Sequence, residues 1–312
     1  MKTTNDRSAI VASIRRCFLK LPHVQSVFAS LDRLYSYTCE REEPMHLVIV
    51  GESGVGKSTV LKKYIDFYPP VVHEEYTEIP VLLVSLDEAP TPKTLAGSLL
   101  KAMGSPFWNK GSAEDRKAQL LTLLQACKVR LVILDEANHL VDRGGEKTRH
   151  TSADWLKTVA DKAGISLILA GIPRTIRLLE TNDQLRGRFR EVISIDRFSV
   201  ADKEAEKRFR GVLKSFQQLF KDVDSVDLSS WELTRAFAFA TDGRLREIRS
   251  LLVKSAELAF AKPTPRLTME VLSHAFRSTI YANATPDRNP FEAAFKEVPL
   301  TNIREPFAPV ER

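Results

Sequence analysis

The stretch Gly51-Glu52-Ser53-Gly54-Val55-Gly56-Lys57-Ser58 has the residue types and spacing of a phosphate-binding loop, G-x-x-x-x-G-K-[ST]. Glycines let the backbone curl until successive N–H groups point inward at phosphate oxygens. A helix starting near Lys57 adds unsatisfied N–H groups and the positive end of its dipole. In that chemistry Lys57 reaches the β- and γ-phosphates and the Ser58 hydroxyl meets a magnesium ion, while Thr59 lies nearer the α-phosphate. A dinucleotide loop, G-x-G-x-x-G, is excluded because residue 53 is serine. A guanine site carries N-K-x-D, but Asn109-Lys110 runs into Gly111-Ser112. ATP is the expected nucleotide.

Such a loop needs an acidic partner at a strand end. "LVILDE" supplies Asp135, to hold Mg²⁺ through water, and Glu136, to polarise an attacking water. Two arginine clusters follow. Arg186, Arg188 and Arg190 precede a short apolar run; one of them could stabilise charge on a neighbouring subunit's γ-phosphate, or all three could line a solvated basic loop. Arg244, after Gly243, could fold over a nucleotide or be an ordinary surface arginine.

These residues need a scaffold, and the apolar patterning supplies one. The spacing predicts helix over 9–40, interrupted at Pro22, and buried strands over 45–50, 79–86, 129–134, 165–171 and 191–195. Helices are expected over 58–68, 92–103, 113–127, 152–162 and 173–180. Strands without polar alternation, separated by helices, indicate a mostly parallel five-stranded sheet covered on both faces. Beyond Asp196 every segment reads as helix and no strand appears. The expected organisation is a helical segment over 1–44, an α/β nucleotide-binding domain over 45–199, a small all-helical domain over 200–281, and a tail over 282–312. Pro286, Pro290, Pro299, Pro306 and Pro309 punctuate that tail, which is expected to be extended and loosely attached. Its Phe291, Phe295 and Phe307 could equally dock on a partner or pack on their own domain.

The remaining composition narrows the class. Three scattered cysteines, Cys17, Cys39 and Cys127, exclude a disulfide framework and fit a reducing compartment, with cytoplasm as the default. No apolar run reaches membrane-spanning length and no leader pattern opens the chain. The net charge of +6 permits nucleic-acid binding without requiring it. Basic candidates for phosphate contacts are Lys101 and Lys110 around "SPFWNKGS" and Arg143, Lys147 and Arg149 in "DRGGEKTRH", each otherwise a solvated loop residue. Trp108 is either a wedge or a core aromatic. His139 is a packing or capping residue, since no second ligand lies at metal spacing.

In order, "VIVGESGVGKST", "LVILDEANHL", "LILAGIP", "LRGRFREV" and "DGRLREI" resemble the AAA+ ATPases, and within them the TniB/TnsC transposition regulators of Tn7-like, mercury-resistance-type and CRISPR-associated elements. The resemblance runs from about Ser30 to Phe260. It implies an α/β P-loop fold of AAA+ type with a small helical lid. Gly51, Glu52, Ser53, Gly54, Val55, Gly56, Lys57, Ser58 and Thr59 would cradle ATP, with Ser58 and Asp135 toward Mg²⁺ and Glu136 driving hydrolysis. Arg188, which precedes Phe189, would be the finger acting on a neighbouring subunit, and Arg244 the lid sensor. It further implies a homo-oligomeric ring or filament on double-stranded DNA, linking a TniQ-type adaptor to a DDE transposase. Helicase loading, protein remodelling and a nucleotide-gated scaffold remain alternatives. One departure stands out. Many AAA+ proteins carry a polar residue at the end of the fourth strand to orient water, but here the run is Leu169-Ala170-Gly171-Ile172. Either hydrolysis is slow, as suits a regulatory switch, or another group orients the water.

Overall fold

The run Leu47–Val50, β1, is buried at every position and pairs in parallel on both sides. A strand in that setting has no solvent-facing side, which is why its sequence is uniformly apolar. The computed structural model describes residues 4–40, 43–142, 146–180, 183–220 and 223–309. By its packing the chain divides into two units, Leu21–Ile195 and Met1–Lys20 with Asp196–Arg312.

The first unit is built on a five-stranded parallel sheet. After β1 come β2 (Val81–Ser85), β3 (Leu131–Asp135), β4 (Ser166–Gly171) and β5 (Glu191–Ser194), in the spatial order β2-β3-β4-β1-β5. The five strands expected from the sequence are all present. β4 lies between β1 and β3, and Val50 is in register with Gly171, as is Leu134 with Leu169. The carboxyl ends of β1, β3 and β4 therefore lie along one edge, where open parallel sheets bind ligands. β5 is one of the two edge strands, and its alternate residues are more exposed. Its Glu191 accepts from Ser30 Oγ at 2.6 Å and pairs with Arg33.

Helices cover the sheet. Pro22 opens the helix Pro22–Cys39, whose buried face runs through Val24, Val27, Leu31 and Leu34. Reciprocal capping boxes, Thr91 with Thr94 and Ser112 with Asp115, start Pro92–Ala102 and Ala113–Ala126. The helix Glu146–Ala163 begins earlier than the periodicity indicates. One feature is absent from the sequence reading: Val71–Val72 pairs antiparallel with Thr77–Glu78. Two-residue strands are too short to produce a periodic signal.

The second unit departs from expectation in three ways. The helix Thr4–Arg16 belongs to it: Arg15 pairs with Glu257 at 2.9 Å and Arg249 Nη2 donates to Cys17 O at 2.9 Å. The segment expected over 1–44 is thus divided at Lys20. Second, the helices Lys203–Gln217, Trp231–Thr241, Leu245–Phe260 and Met269–Thr279 are joined by a small parallel pairing of Asp224–Ser225 with Arg266–Leu267. Third, the tail is not loose. Asn289 is fully buried and donates to Ser273 Oγ at 3.0 Å. Phe291 stands edge-on to Phe237, centroids 5.4 Å apart, and Leu300 is buried. Arg288 pairs with Glu305 at 2.6 Å. The prolines set the turns while apolar anchors between them hold the segment to its own unit.

Candidate nucleotide site

The loop after β1 is shaped by contacts that tolerate only glycine. Gly51 N–H donates to Gly171 O at 3.1 Å, and a Cβ there would collide with the carbonyl of Ile195. Gly54 and Gly56 take φ of 85° and 107°, in the left-handed region that suits glycine. The helix Lys57–Ile65 starts directly after Gly56, so its first-turn N–H groups face the loop. Lys57 is buried, with Nζ donating to Gly51 O at 2.8 Å and Glu52 O at 3.1 Å. Burial pushes its pKa down, and the carboxylates of Glu136, Asp135 and Glu52 oppose that shift. Ser58 is half-buried and Thr59 exposed.

Asp135 ends β3 and is 5% exposed. Its Oδ1 accepts the Glu136 N–H at 2.9 Å. Glu136 then leaves the strand at φ 56°, a left-handed conformation uncommon for a residue with a side chain and found where a site fixes it. The next N–H, of Ala137, donates to Ala170 O at 2.8 Å, folding the acidic turn against the end of β4. Lysine, aspartate and glutamate thus meet at the sheet edge with the loop. Ser58 and Asp135 offer oxygen donors, which suit a hard cation such as Mg²⁺.

The end of β4 holds residues that the sequence reading missed. A Cβ on Gly171 would collide with Thr175 Oγ1 and stand 3.0 Å from Asn138 Oδ1. Asn138 is 4% exposed and accepts a long hydrogen bond, 3.5 Å, from Ile172 N–H. Thr175 is 1% exposed, and its hydroxyl has no hydrogen-bond partner. Thr175 reaches Gly171 through the tight turn Pro173–Ile176, but nothing in the spacing marks Asn138 as their neighbour, because parallel pairing of β3 with β4 brings it there.

The arginines are held differently. Arg188 ends the short helix Asp183–Arg188, and its Nη1 lies 3.1 Å from both Glu43 and Asp161. Arg186 and Arg190 are exposed, with Arg190 Nε donating to Gly187 O at 3.2 Å. In the second unit, Gly243 has φ 64° and a Cβ there would collide with Phe198 O, so the turn before Arg244 is fixed. Arg244 caps Leu245–Phe260, pairs with Asp242 at 3.0 Å and lies over the Phe307 ring at 5.4 Å.

Among the basic candidates, Lys101 and Lys110 are exposed, and Lys101 Nζ sits 5.1 Å above the Trp108 ring. Trp108 is 37% exposed, so it is not a core aromatic. Arg143 lies outside the described residues, as do the side chains of Lys147 and Arg149. Among the described residues no cluster of His, Cys, Asp and Glu could hold a metal ion, and no helix is long and apolar enough to cross a membrane.

Comparison with known proteins agrees with this architecture. Among solved structures, Cdc6p from Pyrobaculum aerophilum superposes with a TM-score of 0.62 at 16% identity, covering 90% of this chain and 73% of that one. The Aeropyrum pernix ORC2 protein, solved in ADPNP–ADP complexes, gives 0.60 at 16% identity over 83% and 68%. The Aeropyrum pernix ORC1 protein in complex with DNA gives 0.58 at 18% over 83% and 65%. At these identities the likeness establishes the fold, that of AAA+ P-loop ATPases. No curated protein matches. The family model of the bacterial TniB protein matches residues 11–199, more than half of the chain, a span that holds the phosphate loop, the acidic turn and all five sheet strands, and the chain therefore belongs to the TniB family.

Proposed function

We propose that this chain is an ATP-hydrolysing, DNA-bound, oligomeric regulator of transposition that couples a TniQ-type target-selecting adaptor to a DDE transposase. The observation that carries the reading is the convergence of Lys57, Asp135 and Glu136 at the carboxyl edge of the sheet. In this reading the loop N–H groups and Lys57 bind the β- and γ-phosphates. Ser58 and Asp135 hold Mg²⁺, which when bound screens phosphate charge. Glu136 accepts a proton from the attacking water. Arg188 is the candidate finger for a neighbouring protomer. Its two carboxylate partners also fit a role inside its own unit, so Arg186 and Arg190 are tested beside it. Arg244 is the candidate lid sensor. Support for nucleotide and DNA as ligands comes from the ADPNP–ADP and DNA complexes of the two Aeropyrum pernix proteins, and for transposition from membership of the TniB family.

A nucleotide-gated scaffold with little turnover is the second reading, favoured by the absence of a side chain at Gly171. One experiment separates them: mass photometry on duplex DNA with ATP, a slowly hydrolysed analogue, ADP or no nucleotide, alongside phosphate release. The expected result is ATP-dependent assembly on DNA, lost in Lys57→Ala and weakened in one arginine variant. Glu136→Gln should still assemble while turnover falls about 10²–10⁴-fold. Wild-type turnover no higher than that of Glu136→Gln would favour the scaffold. A monomer indifferent to DNA in every state would overturn both.

A further inference from the structure

At the end of β4, the place a side chain would take is filled by Asn138 and Thr175. Three contacts tie this point to both halves of the nucleotide site, and a fourth holds its own turn. Gly171 O accepts from Gly51 N–H at the start of the phosphate loop. Ala170 O accepts from Ala137 N–H, one residue past Glu136. Asn138 Oδ1 accepts from Ile172 N–H, and Thr175 N–H donates to Ile172 O at 2.9 Å. Asn138 and Thr175 thus flank Gly171 from two sides, where a Cβ would meet both. A side chain on the strand would displace the Thr175 hydroxyl and crowd Asn138.

The Thr175 hydroxyl is costly where it stands. It is buried without a hydrogen-bond partner, which costs stability. Valine has nearly its shape and no hydroxyl to leave unpaired, so stability alone would favour valine.

We propose that Thr175 and Asn138 together replace the missing strand-end side chain as the positioning pair of the site, coupling the acidic turn that carries Glu136 to the phosphate loop through Gly171. Both act through Gly171 and the acidic turn, which makes them positioning residues. The Thr175 hydroxyl stands beside the Asn138 carboxamide at Gly171, and Asn138 ties the end of β4 to the turn that carries Glu136. This rests on the ATPase reading above and deepens it.

The test compares Thr175→Val and Thr175→Ser in the full chain, with thermal unfolding, nucleotide affinity and turnover measured on the same samples. The expected result for Thr175→Val is an unfolding temperature equal to or above wild type, an ATP affinity within about twofold, and kcat down about tenfold or more, with Thr175→Ser near wild type. Asn138→Ala should repeat the kcat loss with KM little changed. Two results would overturn the proposal. One is Thr175→Val turning over within twofold of wild type. The other is its losing stability and activity together, as a packing residue does. Should wild type bind nucleotide without turnover, the ATPase reading fails separately. The pair is then judged by the ratio of affinities for a non-hydrolysable ATP analogue and ADP. Collapse of that ratio in Thr175→Val supports it, and an unchanged ratio overturns it.

Discussion

At position 46, directly before β1, a histidine is buried at 1% exposure with its ring 4.9 Å from that of Phe189. Its Nδ1 accepts the Leu167 N–H at 3.1 Å, so the neutral ring carries its proton on Nε2, which has no partner. Burial lowers its pKa from 6.5 to about 4; Asp161 raises it and Arg188 lowers it. The unfolded chain therefore binds a proton between about pH 6.5 and 4 that the folded chain refuses. Stability is full above 6.5 and falls as pH drops toward 4, by about 3 kcal/mol in total. Unfolding free energies from urea titrations at pH 7.5 and 5 should differ by about 2 kcal/mol beyond the general acid effect. In His46→Phe the extra difference should disappear. A histidine preceding an apolar strand reads from sequence as an ordinary flank; its buried state needs the neighbouring β4 and Phe189.

At the scale of elements, the sheet works because strand ends meet without side chains between them. Gly51 abuts Ile195, and Gly171 abuts Asn138 and Thr175. Adding one methyl group at Gly171 should force those neighbours apart, at a cost of about 1–3 kcal/mol. Chemical denaturation of Gly171→Ala against wild type reads this directly. The double variant Gly171→Ala/Thr175→Ala, which clears one neighbour, should recover part of the loss. Additive losses would mean that Thr175 is not the obstructing group.

For the molecule as a whole, the helical unit is closed by segments distant in sequence. Thr4–Arg16 packs with Leu245–Phe260, and the chain beyond Ala282 returns to cover Phe237 and Phe276. Phe291 is the central anchor of that return, 3% exposed. Phe291→Ala should destabilise the unit by about 3–5 kcal/mol, seen as a lowered unfolding transition and early proteolysis of the tail. Wild-type-like protection would mean that the tail is held by its ion pairs alone.

The sequence by itself determined the loop, its acidic partner and the five parallel strands. Each is a local pattern: fixed spacing for the loop, unbroken apolar runs for strands covered on both faces, and carboxylates at the end of one run. Helix starts were legible where Pro22, Thr91 and Ser112 carry capping chemistry. What the local pattern could not hold is adjacency across the sheet. The spatial order of the strands brings Gly171 beside Gly51 and sets Asn138 and Thr175 around it. It also shows that the space beyond β4, which from the sequence reads only as a gap, is filled by those two residues. The same limit applies to the tail: its prolines are visible as breaks in regular structure, but the cavity that receives Phe291 exists only after Phe237 and Phe276 have been brought together by folding.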